Sequence, residues 1–238
     1  MRLQVALAKA GIESRRKAAE LIASGRVKIN GRVIRQKGAR VDCSGDIITF
    51  DGRPVAIGEE KAYYVLNKPV STLSTVRDDR GRKTVLDYAK KIRSRVYPVG
   101  RLDKDTTGLI VLTNDGELTY RLTHPKFGIE RVYVATVAGE LSERDAARLK
   151  KGITLDGRTA RAKRITINKK ADGFTELSVS ICEGRKREIR KMLDAVGHSV
   201  LKLKRIAYGP LRLGDLKEGK SRALTLSETR RLKRSVGL

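Results

Sequence analysis

The sequence predicts an α+β fold in two parts: a small helix-and-hairpin module, then a larger body on a mixed, mainly antiparallel sheet. Helix-like and strand-like segments succeed one another without the regular βαβ alternation of a doubly wound sheet. The first 55 residues carry their own caps and turns, and a short stretch sets them apart from the rest of the chain. From Gly100 a dense polar cluster, GRLDKDTTGL, runs straight into the apolar segment Leu109 to Leu112, so charged groups are held against a buried strand.

In the first module Ser14 is placed to cap a helix whose apolar positions Ala18, Leu21 and Ile22 share a face, and Gly25 ends it. Val27 and Ile29 alternate with polar residues as far as Asn30-Gly31, a tight-turn signal, and Val33 begins the return. A polar stretch to Val41 and a turn at Ser44-Gly45-Asp46 lead to a strand through Ile47, Ile48 and Phe50, closed by Asp51-Gly52. This helix-helix-hairpin unit, residues 1–55, is small enough to be only marginally stable alone. Residues 56–61 read as a linker and residues 62–238 as the second domain.

The second domain begins with a strand, Tyr63 to Leu66, ending at Asn67-Lys68-Pro69. A helix near Thr84 to Lys91 precedes the polar cluster, and Asn114-Asp115-Gly116 breaks the chain after the buried strand. Ile129 to Val137 alternates as a strand, with Arg131, Tyr133 and Ala135 on one face. Ser142 opens a helix with Asp145 at the reciprocal capping position. Strands near Ala160 to Ile167 and Phe174 to Ile181 flank the turn Ala171-Asp172-Gly173. A basic helix, Lys186 to Ala195, and a strand, Val200 to Ala207, complete the body.

The chain of 238 residues has 53 Lys and Arg against 27 Asp and Glu, a formal net charge of +26. Self-repulsion on this scale destabilises a compact chain, and a polyanionic partner is its simplest explanation. Nucleic acid fits first and an anionic membrane surface second. No run of about 18 apolar residues is present, so no membrane span is expected. The sequence also lacks a signal-peptide or lipidation pattern, so a cytoplasmic protein is expected. Cys43 and Cys182 have no metal-ligand spacing, and the only histidines are His124 and His198, so no metal site is expected. There is no glycine-rich loop of the mononucleotide or dinucleotide type.

The stretch from Leu3 to Asp51, with SRRKAAELIASGRVKINGRVI at its centre, resembles the alpha-L RNA-binding domain of the ribosomal S-four type. The resemblance implies phosphate contacts from Arg15, Arg16, Lys17 and Arg26, which position structured RNA rather than read its sequence. Four segments of the second domain share another likeness. They are Asn67-Lys68-Pro69, VYPVGRLDKDTTGLIVLTNDGEL from Val96, HPKFGIERVYVATV from His124 and EGRKREIRKML from Glu183. In that order they resemble ribosomal-RNA pseudouridine synthases of the RsuA/RluB type.

That resemblance implies an enzyme that breaks the bond between uracil nitrogen and ribose, turns the base and rejoins it through carbon 5. The net change is an isomerisation, so no cofactor is expected. The partner is ribosomal RNA or a ribosomal assembly intermediate, bound by a monomer, with the target base flipped from its stack. Carried over by motif, Asp103 is the catalytic aspartate, and Arg190 is the cation that fixes it. Tyr133 packs on the uracil face and assists the carbon-5 proton. Arg101 enters the space left by the flipped nucleotide, Lys68, Lys186 and Arg187 contact RNA, and Asp105 and Thr106 shape the loop.

Three positions depart from the family pattern. Lys68-Pro69-Val70-Ser71 stands where Lys-Pro-x-Gly is usual, and Arg131-Val132-Tyr133 where Lys-Thr-Tyr is common. Glu188 replaces a glutamine, two residues before Arg190, where it can compete with Asp103 for the guanidinium. Large-subunit ribosomal RNA is the favoured substrate. Small-subunit RNA and a non-catalytic, ribosome-associated RNA-binding protein are the alternatives.

Overall fold

The computed structural model describes residues 1–56, 60–171 and 173–238. They form two compact units, Met1–Lys61 and Ala62–Leu238. Residues 57–59 of the expected linker, and Asp172 of the expected turn, lie outside the described residues.

In the first unit, helices α1 (Leu3–Lys9) and α2 (Arg15–Ala23) precede strands β1 (Val27–Ile29), β2 (Arg32–Ile34), β3 (Ile48–Phe50) and β4 (Arg53–Pro54). Ser14 caps α2 by accepting the Lys17 N–H at 3.3 Å. Asn30 and Gly31 both take positive φ, 50° and 81°, the geometry that a two-residue hairpin needs between right-twisted strands. The antiparallel order is β2-β1-β3-β4. Leu3, Leu7, Ala18, Ile22, Val27 and Ile48 form its core, while Leu21 is half-buried.

The second unit opens with β5 (Tyr63–Lys68), a 3₁₀ turn (Val85–Tyr88), β6 (Tyr97–Pro98), β7 (Thr107–Thr113), α3 (Gly116–Thr123) and a second 3₁₀ turn (Pro125–Phe127). Then come β8 (Arg131–Ala138), α4 (Glu143–Lys151), β9 (Ile153–Leu155), β10 (Arg158–Ala160), β11 (Arg164–Ala171) and β12 (Phe174–Ile181). The chain finishes with α5 (Glu188–Asp194), β13 (Val200–Tyr208), β14 (Leu211–Arg212), β15 (Ser221–Ala223) and α6 (Leu226–Arg234). The main sheet runs β11-β12-β8-β13-β7-β5-β15, with β6 and β14 added at its sides. Its strand pairs are antiparallel except for one short parallel seam, where β13 meets β7 through Lys204–Thr107 and Arg205–Gly108.

This topology explains the apolar run in β7. Ile110 and Leu112 pack into one hydrophobic cluster, Leu109 and Val111 into another, so the strand is covered on both faces. Strand β8 is covered on one face only: Arg131, Tyr133, Ala135 and Val137 are buried and their neighbours are partly open.

Several elements differ from the sequence-based expectations. The helix expected near Thr84 to Lys91 is a single 3₁₀ turn with a Thr84–Asp87 capping box. Asn114-Asp115-Gly116 starts a helix rather than breaking the chain, because the Asp115 carboxylate accepts the Leu118 N–H at 3.2 Å and caps α3. The single strand expected from Ala160 is two, β10 and β11. The C-terminal β15 and α6 carried no expectation. A Thr225–Glu228 capping box begins α6, and Arg222 on β15 donates two 2.8 Å bonds to Glu228. Among the described residues no helix is long and apolar enough to cross a membrane.

Candidate active site

The polar loop between β6 and β7 is held from both sides. Ser74 Oγ donates to Leu102 O at 2.9 Å and accepts the Leu102 N–H at 3.0 Å. Beyond Asp103, Lys104 O accepts the Ser71 N–H at 2.9 Å and the Lys68 ammonium at 3.4 Å. Asp103 O accepts the Thr106 N–H at 3.1 Å, closing the turn. The segment after β5 thus holds the loop at Leu102 and Lys104, on either side of Asp103, and the Asp103 carbonyl is held within the loop by Thr106. Ser71, where the family pattern has glycine, sits at φ 58°, so the turn keeps its left-handed geometry and bears the strain of a side chain.

Asp103 is half-buried, and among the described residues nothing donates to its carboxylate. It lines a cleft of about 910 Å³ together with Arg101, Thr106, Tyr133, Arg187 and Arg205. Lys186 lines the same cleft. Lys68 is fully buried beneath the loop, donating to Pro69 O at 2.9 Å. Burial pulls its ammonium down to about 8, against the opposing pull of Asp105 and Asp103.

Arg190 is the point at which structure and expectation part. Its guanidinium meets Asp105, at 3.2 Å from the carboxylate and 3.2 Å from the backbone oxygen, and not Asp103. A further bond to Val200 O at 3.0 Å fixes its other arm. Arg187, at a left-handed φ of 54°, also reaches the Asp105 carboxylate at 3.3 Å. Burial works to raise the Asp105 pKa, but the charges of Arg190 and Arg187 outweigh it and leave the carboxyl below its ordinary range. Glu188 does not compete for the guanidinium. It is buried at the start of α5 and accepts the Arg185 N–H at 3.0 Å, and desolvation pushes its carboxyl up.

Tyr133 lies buried on β8 at the cleft wall. Arg131, two residues earlier, is also buried and donates to Cys182 O, Glu183 O and Leu122 O at 3.0–3.2 Å, tying β8 to the loops around the cleft. Arg101 is exposed at the cleft, and Thr106 is buried beside it with a hydroxyl that has no partner among the described residues. In the first unit Arg15, Arg16 and Lys17 are exposed on the first turn of α2. Arg26 donates to Asp51 at 2.9 Å and lies 4.8 Å over the Phe50 ring, so part of its charge is engaged inside the module. Among the described residues no three His, Cys, Asp or Glu side chains gather as metal ligands.

Sequence reasoning missed Arg205. It is buried on β13, its Nε donates to Leu109 O at 2.7 Å, and its Nη1 reaches the Tyr133 hydroxyl at 3.5 Å. The signal was present, because Leu203, Arg205 and Ala207 alternate, which places a charge among inward-facing positions. A register shift between Arg205 and Ala207 lets Arg205 face Tyr133 while Tyr208 faces Arg131.

Comparison with known proteins supplies a context for this cleft. Residues 62–195 match the RNA pseudouridylate synthase family, and residues 1–48 match the S4 domain. The chain is 46% identical over 235 residues to a Bacillus subtilis protein named ribosomal large subunit pseudouridine synthase B, covering 98% of this chain and 95% of that one. It is 44% identical over 239 residues to an uncharacterised RNA pseudouridine synthase of Aquifex aeolicus, covering 100% and 96%. A solved structure described as a crystal structure of pseudouridylate synthase superposes with a TM-score of 0.66 at 31% identity, covering 98% of this chain and 99% of that one.

Proposed function

The chain belongs to the RNA pseudouridylate synthase family, and from that premise we propose that it isomerises a uridine of ribosomal RNA, in the large subunit, with Asp103 as the catalytic aspartate. The observation that carries the reading is the double clamp on the Asp103 loop, which presents an unbonded carboxylate to a cation-lined cleft. The large-subunit assignment rests on the name of the Bacillus relative.

Any route through Asp103 needs its ionised form at a fixed distance from the ribose or base. The loop clamps supply the fixed position, and no donor must be displaced before the carboxylate acts. Arg190 contributes by locking Asp105, two residues on, so it holds the loop and adds positive charge without touching the reacting group. Tyr133 offers a flat wall for the uracil and a hydroxyl near the carbon-5 proton. The base must leave its stack, at a cost of roughly a few kcal/mol. Arg101 at the rim fills the vacated space, and Lys186 and Arg187 hold the backbone phosphates. The exposed Arg15, Arg16 and Lys17 extend the phosphate grip and locate the enzyme on folded RNA by shape.

Tritium release from ribosomal transcripts labelled at uracil carbon 5 tests this, with large- and small-subunit RNA assayed apart. Wild-type release from large-subunit RNA, lost in Asp103→Asn while RNA affinity stays within about twofold, is the expected result. Substantial turnover by Asp103→Asn would remove that residue from its role.

A further inference from the structure

Arg205 is a buried charge in need of a counter-charge. Its side chain is on a residue only 2% exposed, and its guanidinium contacts are a carbonyl, a hydroxyl and two aromatic rings, with no carboxylate among the described residues. Nε is satisfied by Leu109 O at 2.7 Å, Nη1 stands 3.5 Å from the Tyr133 hydroxyl, and Nη2 is buried without a partner. The ring centroids of Tyr208 and Tyr133 lie 4.9 and 6.0 Å from it. Lys68, fully buried nearby, repels it. An uncompensated buried cation is unfavourable, so the fold keeps this one against a persistent penalty. Arg205 also lines the cleft that holds Asp103, beside Thr106 and its unpartnered hydroxyl.

The reaction itself produces the missing negative charge. When the bond between ribose carbon 1′ and uracil nitrogen 1 breaks heterolytically, its electron pair stays with the base. The charge then spreads over nitrogen 1 and the two carbonyl oxygens. It is consumed when carbon 5 bonds to carbon 1′; the carbon-5 proton leaves and nitrogen 1 gains a proton, so atoms and charge balance. The anion exists only between the two bond events. A fixed cation beside it favours that interval over the bound substrate, which is how electrostatic preorganisation accelerates a step. Resting on the isomerase reading, we infer that Arg205 is a further catalytic residue, one that stabilises the departing uracil as its bond to the ribose breaks.

Fluorine at carbon 5 withdraws electrons and stabilises the same anion without help from the protein. Single-turnover loss of the target nucleoside is therefore compared between large-subunit transcripts made with uridine or with 5-fluorouridine. Wild type, Arg205→Met and Arg205→Lys are assayed, with RNA affinity by filter binding and melting temperature measured beside them. Arg205→Met should slow the uridine reaction by about 100-fold or more and the fluorinated one by less than about tenfold, with affinity within about twofold. Arg205→Lys should keep roughly a tenth or more of the wild-type rate, and if Arg205→Met fails to fold it carries the comparison between the two RNAs. Equal losses on both transcripts, a loss confined to affinity, or an unimpaired rate would each overturn the role of Arg205. A wild-type enzyme that converts no uridine would overturn the isomerase reading and this inference with it.

Discussion

Gly108 joins the Asp103 loop to the sheet, and replacing it with alanine should be costly. It sits at φ 102°, where an L side chain is strained by about 1–2 kcal/mol. An added Cβ would lie 2.3 Å from Arg205 O and 2.7 Å from Arg205 N, both backbone atoms that no rotamer change can move. Relieving that overlap means parting β7 from β13 at their short parallel ladder, Lys204–Thr107 and Arg205–Gly108, a packing penalty of about 1–3 kcal/mol. Together these give about 3 kcal/mol, or a fall of about 6–12 °C in melting temperature for a domain of this size. The matched control is Gly157→Ala, at φ 74° with nothing within 4 Å of the new atom, where only backbone strain applies. Scanning calorimetry of the two variants isolates the contact. A Gly108→Ala protein that melts no lower than Gly157→Ala would refute the close-approach argument.

Other consequences are equally direct. Ser71→Gly removes a side chain from a left-handed φ of 58° and should raise stability by about 0.5–1 kcal/mol, seen as a higher denaturant midpoint at unchanged slope. Glu228, held by Arg222, has its carboxyl pulled down to about 2 from an ordinary value near 4.5. Since the folded pKa is the lower one, its contribution is complete above about 4.5 and disappears as pH falls toward about 2. Glu228→Gln should cost roughly 1–2 kcal/mol at pH 7, with the gap to wild type closing on acidification; a gap independent of pH would exclude the ion pair as its cause. Replacing Arg15, Arg16 and Lys17 by alanine should lower the slope of log affinity against log salt by about 2–3, while turnover at saturating RNA is kept.

The sequence made the outline legible wherever one local rule dominates. Ser14 caps α2 and Asn30-Gly31 turns the first hairpin because both depend on neighbouring backbone alone. The run Leu109 to Leu112 reads as a buried strand because a hydrophobic cluster covers each of its faces. The misses arise where distant groups decide. Asp115 looks like a chain breaker until its carboxylate finds the Leu118 N–H, and β15 is too short to register before Arg222 reaches Glu228. At the site, Asp103 and Tyr133 can be picked out by motif, yet spacing along α5 could not tell that Arg190 would meet Asp105. Nor could it show that the register shift in β13 would set Arg205 against Tyr133.

The edge of the catalytic sheet has a consequence in time. Strand β5 is among the first parts of its domain to be synthesised and β15 among the last, yet Ser221 pairs with Leu66 and Lys220 O accepts the Asn67 N–H. All strands of the N-terminal sheet, by contrast, come from within residues 27–54. Domains emerging from a ribosome fold largely in chain order, and contacts distant in sequence form late. A nascent chain therefore holds every strand of the N-terminal sheet well before the segment bearing Lys68 and the Asp103 clamps is closed by its last strand.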